Sequence, residues 1–162
     1  MFLNARSIVY KIDELRAVVS THKPDFIMIN ETWLNEEHMD QEFSIDGFNL
    51  ITRKDGTDTQ RGVARGILLY SREGIDALPY RNDRLDEFRE AAGMQIRIPG
   101  ESEPLTAIMV YRPPRLAFSN DDNMNTAKLC AALNSLPKDT LMVCATFAGN
   151  VCGAKIQEKE YS

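Results

Sequence analysis

The stretch Asp25–Asn30 (DFIMIN) restricts the fold more than any other part of the sequence. It is a nearly continuous apolar run bounded by Pro24 before and Glu31 after. Runs of this kind are strands covered on both faces, the setting of a central strand with a parallel neighbour. Upstream, Ile8, Ile12, Leu15 and Val18–Val19 recur at helical spacing and predict an amphipathic helix from about Ser7 to Ser20, stopped by Lys23–Pro24. The apolar MFLN before it fits the end of a first strand. Strand, helix and parallel strand make a right-handed βαβ unit.

Further along, GFNLITR (Gly47–Arg53) alternates as a strand, KDGTDTQRG reads as an exposed loop, and GILLYS (Gly66–Ser71) is a second buried strand. Arg81–Glu90 is charged and weakly patterned. MQIRI (Met94–Ile98) and LTAIMVY (Leu105–Tyr111) follow as strands, then a helix within Asn120–Leu136 ended by Pro137, then a buried strand TLMVCA (Thr140–Ala145). This order predicts an α/β fold: a mixed β-sheet with helices on its faces, one layer of an α/β sandwich. After Ala145 the sequence turns small, polar and charged with no further element. The expected organisation is therefore one partial domain over residues 1–145 and an irregular tail over 146–162, with an open edge or apolar face left by the missing C-terminal part.

Length and charge narrow the function classes only a little. The 162 residues suffice for one core, and a net charge of −5 argues against a strongly electrostatic nucleic-acid binder. It does not argue against a metal-dependent nuclease, whose site needs carboxylates and whose cation offsets their repulsion of phosphate. No apolar run approaches the length of a membrane span and the start lacks a secretory pattern, so the expectation is an intracellular protein, nuclear or cytoplasmic, with no membrane partner. Cys130, Cys144 and Cys152 fit no zinc spacing; Cys130 and Cys144 are expected as buried thiols.

Three segments read in order carry a resemblance: LNARSIVYKIDEL (Leu3–Leu15), PDFIMINETWL (Pro24–Leu34) and VYRPP (Val110–Pro114). Together they resemble the endonuclease/exonuclease/phosphatase family, in the apurinic/apyrimidinic-type branch carried by non-LTR retrotransposons. The resemblance implies a deoxyribonuclease I-like fold and a Mg²⁺- or Mn²⁺-dependent endonuclease that nicks DNA, with the DNA phosphate backbone as partner. It puts Glu31 at the family's metal-binding glutamate. Asn4 falls at the asparagine that supports metal and scissile phosphate, and Tyr111 at the tyrosine that reaches a phosphate oxygen. The implied catalytic set is Asn4, Glu31 and Tyr111, with Glu31 and Asn4 at the metal. The chemistry agrees, because hard cations prefer carboxylate oxygens and ligand sites collect at the carboxyl ends of strands.

Bland readings stand beside these. Tyr111 reads equally as a strand-end aromatic covering the core, and Arg112 as a phosphate contact or a surface ion pair. Trp33 reads as a packing anchor rather than a base-stacking platform, and Asn35–Glu42 as a solvated acidic loop. Glu90 is a loose match to a family acid near the site. Arg61, Arg65 and Arg72 form a modest basic patch, read as a solubilising surface.

The departures concern the water-activating side. Where the family carries a Gly-Asp-Phe-Asn motif this chain has Ala145-Thr146-Phe147-Ala148. A threonine hydroxyl is no base near neutral pH, and an alanine methyl makes no hydrogen bond. The family's later Asp-His pair has no counterpart, since His22 and His38 fall elsewhere. The resemblance thus implies a truncated or diverged copy with impaired catalysis, or a non-catalytic fragment that binds nucleic acid or protein.

Overall fold

The structure, a computed structural model, describes residues 1–56, 65–88, 90–112 and 120–146; for residues 112, 120–126 and 144–146 it describes the backbone alone. The opening βαβ unit forms as its apolar pattern dictates. Strand β1 (Phe2–Asn4) and strand β2 (Phe26–Asn30) pair in parallel, with helix α1 (Ile12–His22) between them. Helix α1 starts later than its apolar spacing predicts. Arg6 and Ser7 have φ of 45° and 78°, left-handed values that no helix accommodates, so Ile8 is buried from a turn rather than from a helix face. At the other end Lys23 takes the left-handed cap and donates its N–H to the Val19 carbonyl at 2.8 Å.

The remaining elements are a short 3-10 helix (Asp40–Phe43), β3 (Phe48–Asp55), β4 (Gly66–Arg72), β5 (Ala77–Pro79), α2 (Asp83–Asp86), β6 (Ala91–Ile96), β7 (Leu105–Arg112), α3 (Asn120–Asn134) and β8 (Leu141–Thr146). The strands divide between two four-stranded sheets, ordered β1-β2-β4-β3 and β5-β6-β7-β8. Each sheet is mixed, with one parallel pair at its edge: β1 with β2, and β7 with β8. The expected α/β sandwich therefore holds, with two sheets where the pattern alone suggested one. Short β5 and α2 carry no periodic pattern that predicts them, and β6 starts three residues before the Met94 its alternation predicts. Ile98, which alternation puts on one face with Met94 and Ile96, lies past the end of β6 and is exposed, while Ala91 and Ala92 are buried.

Alternation explains the layers. On β2 and β4, Ile27, Ile29, Leu68 and Tyr70 face α1 and close an outer core with Leu15, Val19 and Phe43. Their neighbours Met28, Ile67 and Leu69 point the other way and meet Ala92, Met94, Ala107 and Met109 of the second sheet. Beyond that sheet, Ile108 and Val110 pack with Leu85 and Leu129 from α2 and α3. The order is thus helix, sheet, sheet, helices. Both β2 and β4 are covered on two faces, which is why DFIMIN and GILLYS carry no polar alternation.

Candidate active site

Strand β2 ends at Asn30, and the chain beyond it is held by neighbours on both sides. The parallel pairing with β1 continues as Ala5 N–H to the Asn30 carbonyl at 3.0 Å and Ser7 N–H to the Glu31 carbonyl at 2.8 Å. On the other side Trp33 N–H donates to the Arg65 carbonyl at 2.9 Å, just before β4. Within this clamp Glu31 and Trp33 adopt φ of 52° and 61°. Left-handed backbone at non-glycine residues is uncommon and persists only where surroundings enforce it, typically at functional sites.

The three residues singled out from the sequence meet here. Asn4 donates from Nδ2 to Oε1 of Glu31 at 3.0 Å, and its own Oδ1 accepts the Arg6 N–H at 3.3 Å. From the second sheet the Tyr111 hydroxyl donates to the same Oε1. One carboxylate oxygen thus joins β1, β2 and β7. Tyr111 is only 4% exposed, so its two readings merge: it covers the end of the inter-sheet core and presents its hydroxyl to Glu31. Burial raises the Tyr111 phenol well above its ordinary value. The hydrogen bond to Glu31 and that group's charge push the same way, while Arg6 and Arg65 oppose. Burial likewise raises Tyr70, whose hydroxyl donates to the Phe43 carbonyl at 2.9 Å.

These shifts have a measurable sign. Unfolded tyrosines ionise near pH 10; above that pH the native state holds two protons that the unfolded chain has lost, so stability falls as pH rises. Of the five tyrosines, Tyr70 and Tyr111 should ionise only as the fold is lost. Alkaline titration followed by phenolate absorbance, with ellipticity recorded in parallel, checks this.

Around the trio, Arg65 pairs with Glu90 at 2.5 Å, and the Glu90 carbonyl accepts the Tyr111 N–H at 2.7 Å. Glu90, a loose match in sequence, is therefore a neighbour of the site. The basic patch dissolves: Arg65 and Arg72 lie at opposite ends of β4, Arg72 pairs with Asp25 at 2.6 Å, and Arg61 lies outside the described residues. Trp33 is not a buried anchor, being 45% exposed. The acidic loop is not simply solvated, because Arg53 ties it down through Asn35, His38 and Asp40. His22, the last residue of α1, bonds the Val18 carbonyl and His38 bonds Asn35, so the hydrogen bonds of both rings lie away from Glu31. Thr146 ends β8 opposite Arg112, one residue past the Tyr111–Ala145 register pair, at the same edge as the trio. Its side chain and those of Arg112 and Cys144, together with Ala148 and Cys152, lie outside the described residues; Cys130 is half-buried. Among the described residues no three of His, Cys, Asp and Glu come together as a metal cluster, and no helix is long and apolar enough to cross a membrane.

Residues 1–141 match the sequence profile of the endonuclease/exonuclease/phosphatase family. The chain belongs to this family. A search of curated proteins finds no match. Among solved structures, the chain is similar to the endonuclease domain of TRAS1, a telomere-specific non-LTR retrotransposon, with 12% identity and a TM-score of 0.57 over 88% of this chain and 56% of that one. It is similar to an AP endonuclease from Archaeoglobus fulgidus (16% identity, TM-score 0.58, 90% of this chain and 55% of that one). It also resembles a 3′-5′ exonuclease, NExo, from Neisseria meningitidis (15% identity, TM-score 0.57, 90% and 55%). At such identities the likeness establishes the deoxyribonuclease I-like fold of the endonuclease/exonuclease/phosphatase family. The chain spans about half the length of these structures.

Proposed function

We propose that this chain carries the metal-and-phosphate half of a DNA-nicking site from the non-LTR retrotransposon branch of its family, with hydrolysis impaired by divergence at the end of β8. The observation that carries the reading is the convergence of Asn4 and Tyr111 on one oxygen of Glu31. A carboxylate fixed by two donors at a strand end suits Mg²⁺ or Mn²⁺, which bind through one or two carboxylates plus waters and substrate phosphate. Glu31 would hold the cation, and Asn4 beside it would keep the carboxylate oriented or share the cation. When bound, the metal neutralises charge that develops on phosphoryl oxygens.

The chain's own groups do the rest. Tyr111 stays protonated and keeps a hydroxyl hydrogen at the site, available to Glu31 or to a phosphate oxygen. Arg65 contributes positive charge but is shared with Glu90. At the motif position of the water-activating aspartate this chain carries Thr146, whose hydroxyl is no base near neutral pH. Loss of a positioned base lowers rates by about 10²–10⁴-fold.

The test is nicking of supercoiled plasmid in Mg²⁺, run beside Glu31→Ala, with binding of a short oligonucleotide measured in Mg²⁺ and in chelator. Weak nicking above the Glu31→Ala background is expected, together with about tenfold tighter binding in Mg²⁺ that Glu31→Ala removes. Equal affinities in Mg²⁺ and chelator would sink the metal site. Thr146 favours a second reading, a fragment that binds nucleic acid or a protein without cutting. Equal nicking by wild type and Glu31→Ala, with Mg²⁺-dependent binding retained, selects that one.

A further inference from the structure

The segment after Glu31 buries Thr32 completely and Leu34 to 1% exposure, yet Trp33 between them is 45% exposed. Hydrophobic burial would ordinarily draw the largest aromatic side chain inward. Here the left-handed φ of 61° turns it out, and the hydrogen bond from its N–H to the Arg65 carbonyl, with that of Thr32 to the Gly66 carbonyl, holds the turn in place. The outward pose is therefore built by the backbone rather than left over from loose packing. Two residues of chain span at most about 7 Å, so the backbone that carries this indole is anchored within roughly one nucleotide's length of the Glu31 backbone. The Arg65 side chain, from the residue whose carbonyl holds the Trp33 N–H, is paired with Glu90 at 2.5 Å. An exposed aromatic ring two residues from a phosphate site is a means by which proteins hold single strands, with bases stacked on rings.

We propose that Trp33 is a stacking platform for a nucleobase of the strand whose phosphate meets Glu31. This rests on the reading of Glu31 as a phosphodiester site, and it adds the substrate class: a strand with at least one unpaired or splayed base. Trp33 is the only tryptophan in the chain, so intrinsic fluorescence reports on it alone.

The experiment titrates the full chain, in Mg²⁺ at low salt, with a short single-stranded oligonucleotide and with an abasic sugar-phosphate strand of equal length. The base-bearing strand should quench Trp33 emission and bind about tenfold more tightly than the abasic one. Trp33→Ala, followed by anisotropy of a labelled strand, should remove that difference and leave abasic binding unchanged; Trp33→Phe should restore most of it. Ellipticity and thermal unfolding of both variants verify folding. If the abasic strand binds as well as the base-bearing one in wild type, the stacking proposal fails while the phosphate reading survives. If neither strand binds, both fail. Emission that shifts to the blue with protein concentration alone would put Trp33 in a contact between copies of the chain and overturn the proposal.

Discussion

Gly66→Ala is expected to destabilise the protein by about 3 kcal/mol, lowering its melting temperature by roughly 6–12 °C for a chain of this size. Gly66 opens β4 at φ of 113°, a region that side-chain-bearing residues avoid. A Cβ there would run into the Thr32 side chain and come within 3.2 Å of the Lys54 carbonyl. Thr32 is fully buried and cannot swing away, and its N–H donates to the Gly66 carbonyl at 3.3 Å. Thr32 follows Glu31 directly, so under the proposed function a displacement here should reach the carboxylate and lower any Mg²⁺ increment in oligonucleotide binding along with stability. Thermal unfolding followed by ellipticity gives the first quantity. Combining Gly66→Ala with Thr32→Ala separates the causes: the clash is relieved, and the backbone strain remains. A loss below about 1 kcal/mol in the single variant would contradict this account.

Arg53→Ala should cost about 2–3 kcal/mol, below the usual figure for breaking a fully buried pair because Asp40 is exposed. The guanidinium of Arg53, only 17% exposed, makes a two-pronged contact with Asp55 at 2.7 and 2.8 Å. It also reaches Asp40 and the His38 carbonyl, at 2.7 and 2.8 Å, and the Asn35 carbonyl at 2.7 Å. The hydrogen bond with Asp55 above all holds its pKa over the ordinary arginine value. Residues 35–39 include no helix or strand, and this fork supplies their tether to β3. Removing it strands the Asp55 carboxylate and frees the loop. Arg53→Lys should rescue little, since an ammonium lacks the planar fork. Limited proteolysis should then cut first within residues 35–43; unchanged cleavage there would rule out the tether.

The site and these two supports differ in how far they could be read ahead of the structure. Glu31, Asn4 and Tyr111 were legible because each sits in a short segment whose residue types match a known family order. The buried strands were legible because burial on both faces removes polar alternation. In sequence Arg53 is simply the last residue of an alternating strand, and Arg65 part of a basic patch. Their partners, Asp40 and Glu90, lie 13 and 25 positions away in the chain, and no local period reports a pairing at that separation. Trp33 was misjudged for a related reason: apolar character predicts burial, and only the backbone turn at 33 reverses it.

By itself, then, the sequence determined the βαβ start, the strands that had to be central, the family and the three residues of the candidate site. Those follow from local hydrophobic pattern and short motifs, which act within a few residues. Tertiary structure alone decided that the strands split into two sheets. It also decided that a tyrosine 80 residues downstream donates to the Glu31 carboxylate, and that the neighbouring tryptophan faces outward. Those outcomes depend on which distant surfaces bury one another, a property of the whole packed chain rather than of any segment.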